Sequence, residues 1–598
     1  MRRLATLLAA CVLACTPRPR HESAGEDTAQ PGPGDRRVVE LDLSSGMPEG
    51  SGSGLFQLPA TRTYTGLVRA IERAHDDALT AGLFVRLGLE GVDFARAEEL
   101  GELLGRVRSK GLPVVCHTHA LSNASAWLFA RGCSRIWLSA AGSVDTVGIA
   151  AELVHVKGLL DKLKIEVDFL AIGEYKSGAE PLTRTEPSDA TRESLGETLA
   201  SLRQSWLDGA QQGRPQPGLR SALELGPYSP EEAKTRQLVD AIGYESEALE
   251  EAKRLAKTSL TSAAFGPRAK QAGGFDIGEL IRIVSGADEA STGRPRIAVV
   301  PAEGAIGVEA GGPLDSGGIS SKAMSKTLRR LRDDENVKAV VLRIDSPGGS
   351  PLASDLIWHE LMLMRKKKPV VASVGSMAAS GGYYIACGAQ RIVAERTSIV
   401  GSIGVFGGKI VIGPALNEVG VNAFPIPANP DPAVAARAAY LSPFRAWDEA
   451  TRERVRANMQ SIYDLFVARV AEGRKLSPEI VRRSAEGRIW SGAQGKERQL
   501  VDEIGGLSKA LSVARQLAGL DRDTPVSVEG PREGLLEMLM LGEDASESDI
   551  RAAVARFERE RALLATLPPK LRAHAGVLAP LLRGETVLAA LPVVLELR

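Results

Sequence analysis

The chain has 598 residues, 44% hydrophobic and 25% charged, which is long enough for several buried cores and for two to four domains. Lys plus Arg and Asp plus Glu both number 74, so a formal net charge of zero gives no global pull toward nucleic acid or anionic lipid. No basic tract is interleaved with aromatics, and nucleic-acid binding is therefore set aside.

The first element is an export signal. Arg2-Arg3 precede an apolar run over residues 4–14, too short to cross a bilayer as a mature helix. Two cysteines stand where a lipobox places its lipidated residue, in Leu8-Ala9-Ala10-Cys11 and in Val12-Leu13-Ala14-Cys15. Cys15 or Cys11 is the expected lipidation site, and a plain secretory signal is the alternative. Residues 16–37, rich in Pro, Gly and charge, are expected to form a flexible tether.

Two copies of one domain follow. Pro113-Val114-Val115 recurs as Pro369-Val370-Val371, an offset of 256 (369 − 113). Arg135-Ile136, Val144 and Gly148 recur at that offset as Arg391-Ile392, Val400 and Gly404. RQLVDAIG (236–243) returns as RQLVDEIG (498–505). Order and spacing persist, so the expected organisation is a tandem repeat, with copies over 38–262 and 296–520 and a linker over 263–295.

Each copy reads as α/β. In the second, Ile297-Ala298-Val299-Val300, Ala339-Val340-Val341-Leu342 and Val370-Val371-Ala372 are short β-branched runs. Helical patterns lie between them over 320–332 and 352–365, the latter with Leu356, Trp358, Leu361 and Leu363 as its apolar face. Such alternation predicts parallel βαβ units. Residues 521–598 are expected to form a mostly helical extension. Its apolar stretch over 577–597 is broken by Pro580, Arg583, Glu585 and Pro592, which suits a packed cap better than a membrane span.

Three cysteines remain: Cys116, Cys133 and Cys387. Their odd number and unremarkable spacing do not read as a disulfide framework, and Cys387 is expected in the core. Cys116-His117-Thr118-His119 lacks a second ligand pair at metal-site spacing, so no metal is expected, nor any cofactor.

The chemistry concentrates in three Gly-rich segments of copy two: DSPGGS (345–350), MAASGGYY (377–384) and GSIGVFGG (401–408). Ser380 sits between Ala379 and Gly381, just after a predicted strand and at the start of a predicted helix, where backbone N–H groups favour developing negative charge. Acyl transfer needs oxyanion donors. The amide of Gly381 is one candidate, and the Pro347-Gly348-Gly349 turn offers Gly348 or Gly349 as another. No histidine lies near these segments except His359, which falls mid-helix. A base is available in copy one instead, at Lys176 within GEYKSGAEP (173–181), provided burial strips its solvent and lowers its pKa.

These segments resemble the signal peptide peptidase A (protease IV) family in its long, two-repeat form. The resemblance rests on SPGG (346–349), MAASGGYYIA (377–386), GSIGV (401–405), YKS-x-x-EP (175–181) and the paired RQLVD-x-IG, and covers roughly 38–520. It implies a fold shared with ClpP and the crotonases. It also implies Ser380 as nucleophile, Lys176 as general base and Ser402 as the residue that orients the lysine. Hydrophobic peptides and signal-peptide remnants are the implied substrates, a homotetramer the implied assembly, and the bacterial cell envelope the implied location, with the catalytic body outside the cytoplasm. An apolar cleft suits such substrates, and Tyr383, Tyr384, Val405 and Phe406 lie in segments expected to line it.

The repeat supports this division of labour. Ala124 occupies in copy one the position of Ser380, while copy two reads Asn422-Ala423-Phe424-Pro425-Ile426-Pro427 where the YKS lysine would fall. Ser125 beside Ala124 is not followed by Gly-Gly. The competing readings are a non-catalytic scaffold of the same fold and a crotonase-type acyl-CoA enzyme.

Overall fold

The computed structural model describes residues 34–50, 62–89, 91–266, 293–308, 318–530 and 587–590. The export signal with Cys11 and Cys15, most of the tether and linker, and most of the C-terminal extension lie outside the described residues.

Strands β1 (Arg37–Asp42), β2 (Thr80–Leu87), β3 (Val114–Ser122) and β4 (Arg135–Asp145) form the centre of the first sheet, with short β6 (Ala241–Ile242) and β7 (Thr261–Phe265) at its edges. Their order is β6-β4-β3-β2-β1-β7, and every pairing is parallel. The second copy repeats this plan. β8 (Arg296–Glu303), β11 (Val337–Ser346), β13 (Val370–Ala379) and β14 (Arg391–Ala394) are flanked by β18 (Glu503–Ile504) and β19 (Val526–Val528), in the parallel order β18-β14-β13-β11-β8-β19. Strands such as β8 and β11 are apolar along their length because helices cover both faces of a parallel sheet.

Two features move the expected copy boundaries. β7 crosses residue 262 and completes the first sheet, and β19 lies beyond residue 520 yet completes the second. In both, an edge strand arrives after the last helix of its copy, where the sequence shows no strong apolar run. The helix Pro351–Arg365 also differs in detail. Leu352 and Leu356 are 60% and 44% exposed, and the buried stripe is Ile357, Trp358, Leu361 and Met364.

The copies share a core. Leu507, Ala510, Leu511 and Ala514 of the helix Leu507–Ala518 pack in one cluster with Val39, Leu67 and Leu103 of copy one. Polar contacts cross beside them: Arg343 pairs with Glu49 at 3.1 Å, and Glu98 accepts from the Thr397 hydroxyl at 2.9 Å.

A third sheet joins pieces that are remote in sequence. β9 (Ile306–Gly307), β10 (Ile319–Ser320), β12 (Gly348–Gly349) and β16 (Val405–Val411) come from copy two, β5 (Glu166–Ile172) from copy one, and β20 (Val587–Ala590) from the C-terminal extension. The order is β10-β9-β12-β20-β16-β5. β5 runs antiparallel to β16, from Ile172 opposite Val405 to Glu166 opposite Val411, so an arm of copy one lies against copy two.

A disulfide joins Cys116 in β3 to Cys133, which caps the helix Asn123–Gly132. The sequence reading had no framework here. The strand and the helix that follows it fold back on each other and bring the Cα atoms to 6.0 Å, a normal bridging distance, so two of the three cysteines pair. Cys387 is free and buried, as expected, and burial pushes its thiol up to about 12.

Candidate active site

Three chain segments converge on one lysine. β13 ends at Ala379 and the helix Gly381–Ala386 begins two residues later, with Ser380 at the bend. Ser380 has φ 54° and ψ −115°, a region a residue with a Cβ adopts at a cost, and the surrounding backbone holds it there. Its amide donates to the Gly401 carbonyl at 2.7 Å, and its carbonyl accepts from the Tyr384 amide at 2.8 Å. β15 (Ile399–Gly401) pairs with β13 and leads directly into Ser402, which also has a positive φ of 53° and donates its amide to Arg488 O at 2.8 Å.

Lys176 arrives on the turn after β5. Gly173 turns the chain at φ 108°, the Tyr175 amide donates to Glu486 O at 2.8 Å, and Lys176 N donates to Gly173 O at 3.1 Å. Gly487 closes over this turn so tightly that a Cβ there would meet Lys176 N and Cα at 2.5 Å. The lysine is thus aimed by copy two as well as by its own strand.

Lys176 Nζ lies 2.8 Å from Ser380 Oγ, 3.0 Å from Ser402 Oγ and 3.0 Å from Ser402 O. Lys176 is 4% exposed, and both serines are fully buried. Burial alone holds its ammonium well below the ordinary lysine range. Among the described residues no carboxylate forms an ion pair with it. A lysine so placed is neutral more readily, and a neutral amine facing a hydroxyl can take its proton.

The glycines divide. The Gly348 amide donates to Ser346 Oγ at 3.1 Å and is spent inside its own turn, so it is not the free donor expected of it. Gly349 and Gly381 lie side by side: a Cβ at Gly381 would meet Gly349 N at 3.1 Å.

The expected cleft residues also divide. Tyr383 and Tyr384 point back into the core, with hydroxyls on Leu500 O at 2.9 Å and Asp355 at 2.8 Å, and the Tyr384 ring stacks on Phe466. They support the helix from behind and are not cleft walls. Val405 packs in the core of copy two, whereas Phe406 stands on the other face of β16 with Phe169, Ala179, Leu588 and Ala590. Phe169 and Ala179 went unnoticed in the sequence, although their strand-plus-YKS context marks the segment that holds them. Ser125 is a capping residue, its hydroxyl accepting from the Ser122 amide at 2.7 Å, and Ala124 lies within the same helix. His117 and His119 share Ser139 Oγ at 3.3 and 2.7 Å, and no metal-holding cluster occurs among the described residues. His359 is exposed on its helix.

Residues 106–259 and 362–521 match the model of Peptidase family S49, one segment in each copy. The chain belongs to that family. "Protease 4" of Salmonella typhi is 32% identical over 471 residues, covering 76% of this chain and 72% of its own. "Protease 4" of Haemophilus influenzae is 30% identical over 473 residues, covering 77% and 74%. The chloroplastic "Serine protease SPPA" of Arabidopsis thaliana is 27% identical over 466 residues, covering 77% and 66%. The S49 chain is thus a serine protease built as a tandem α/β repeat. Among its described residues no helix is long and apolar enough to cross a membrane.

Proposed function

We propose that this S49 protease is an endopeptidase in which Ser380 attacks the scissile carbonyl and Lys176 is the general base. The observation that carries the reading is the 2.8 Å approach of a buried, unpaired lysine to a buried serine held at positive φ. Neutral Lys176 takes the Ser380 proton as Oγ bonds to the carbonyl carbon, then returns it to the leaving amine; water repeats the cycle on the acyl-enzyme. Ser402 Oγ and O accept from the protonated amine and fix its direction. The amides of Gly349 and Gly381 stabilise the oxyanion.

The substrates are hydrophobic peptides, including signal-peptide remnants. The apolar face formed by Phe169, Ala179 and Phe406 supports this, as does an arm-like β5 that leaves an open strand position beside β16 for extended peptide. The protein acts outside the cytoplasm at the bacterial envelope, held by its lipid or signal segment, as a homotetramer. The buried Cys116–Cys133 disulfide supports an oxidising compartment.

Ser380→Ala and Lys176→Ala should each abolish cleavage of an apolar peptide while the circular dichroism of the folded chain is kept. Near-normal activity in either folded variant would sink the mechanism. Peptides with Leu or Ala before the scissile bond should be cut and those with Asp there should not; equal rates would remove the substrate assignment.

A further inference from the structure

The strand position beside the active site is already filled, by the chain itself. β20 runs antiparallel to β12 on one side, with Gly349 opposite Ala589 and Gly348 opposite Ala590. On the other side it runs antiparallel to β16, with Phe406 opposite Leu588 and Gly407 opposite Val587. Without β20 the third sheet separates into β10-β9-β12 and β16-β5. Those two edges are the ones that flank Ser380 and Lys176, so Val587–Ala590 lies as an extended peptide would lie in the groove.

Its register is specific. A Cβ at Gly348 would meet the Ala589 carbonyl oxygen at 2.1 Å and Gly381 N at 2.7 Å. A Cβ at Gly381 would meet the same oxygen at 3.0 Å and Gly349 N at 3.1 Å. The Ala589 carbonyl therefore points among the two amides that would hold an oxyanion, and no other carbonyl of β20 comes so near these glycines. Side chains alternate as a bound strand requires: Leu588 and Ala590 pack with Phe169, Ala179 and Phe406, while Val587 and Ala589 face the core of copy two. All four are buried. Small Ala589 beside the nucleophile fits an enclosed position that larger side chains would not enter.

We propose that the protease cuts its own C-terminal extension, at the Ala589–Ala590 bond. The step rests on the Ser380/Lys176 reading. Ser380 Oγ bonds to the Ala589 carbonyl carbon as its proton passes to Lys176. The C–N bond breaks, and the proton goes to the Ala590 nitrogen. One water then hydrolyses the Ser380 ester and leaves Ala589 as the new C-terminal carboxylate.

The test is intact-mass analysis and C-terminal peptide mapping of the purified full chain, run beside hydrolysis of an apolar reporter peptide. Wild type should end at Ala589, and Ser380→Ala should retain Arg598. Ala589→Asp should keep its tail while still hydrolysing the reporter. An intact tail in wild type that hydrolyses the reporter overturns self-cleavage and leaves the dyad standing. Loss of the tail in Ser380→Ala, or cleavage at a different bond, overturns it as well. A wild type inactive on both tail and reporter overturns the dyad reading together with this one.

Discussion

Gly487→Ala tests whether Lys176 is aimed from the opposite copy. The new methyl would meet Lys176 N and Cα at 2.5 Å and Cβ at 2.6 Å, where ordinary contact begins at 3.4 Å. The turn carrying Lys176 must retreat by about 0.9 Å (3.4 − 2.5), and a misplacement of ~1 Å costs on the order of 100-fold in rate. Gly487 also has φ 79°, so alanine adds about 1–2 kcal/mol of left-handed strain. Gly519→Ala separates the two effects: it has φ 61° with nothing within 4 Å, so it carries the strain without the collision. Both variants should lose similar stability in urea, while only Gly487→Ala should lose kcat, with KM nearly unchanged because the groove strands are untouched. A folded Gly487→Ala enzyme within twofold of wild-type kcat/KM would refute the reasoning.

Two further perturbations probe the scaffold. Replacing both Cys116 and Cys133 by Ser opens a crosslink of sequence separation 17 and should cost about 3 kcal/mol in urea unfolding, with activity kept in native buffer; an unchanged midpoint would contradict the bond. Glu395 is 1% exposed with no hydrogen-bond partner on either carboxylate oxygen among the described residues, and burial, then the charges of Glu98, Glu99 and Glu102, hold its pKa well above the carboxylate range against the opposing Arg396. An acid whose folded pKa is raised contributes full stability below its unfolded value of ~4.3 and loses it as pH rises through the folded value. Glu395→Gln should therefore raise Tm at neutral pH and show little gain near pH ~4; a gain independent of pH would contradict this.

Much of the fold was legible because its signals are local. The 256-residue offset, the Val-rich runs of β8, β11 and β13, and the Gly-rich strand ends all lie within short windows. Ser380 and Lys176 were nameable because AASGG and YKS are specific, and because each copy lacks what the other keeps. Non-local pairing was not legible. Nothing in 166–172 announces that β5 leaves its own copy to pair with β16, and Val587–Ala590 sits in a stretch that reads as a broken apolar helix. Side-chain direction was equally hidden. Two glycines open the helix Gly381–Ala386, and its geometry turns Tyr383 and Tyr384 toward the core and away from substrate. The positive φ of Ser380 and Ser402 left no mark either, since neither residue is of the type that signals it.

The pH dependence of kcat/KM on a small apolar peptide, for wild type and Ser402→Ala, tests the central claim most directly. Burial lowers the Lys176 pKa from its ordinary value, whereas the acceptors of Ser402 favour the ammonium. The neutral amine is the active form, so the wild-type rate should climb through neutral pH toward an alkaline optimum. Ser402→Ala should shift that rising limb or lower its plateau, because the lysine loses a partner. A wild-type limb centred near the ~6.5 of an ordinary histidine, unmoved by Ser402→Ala and abolished by replacing one histidine, would show that Lys176 is not the base.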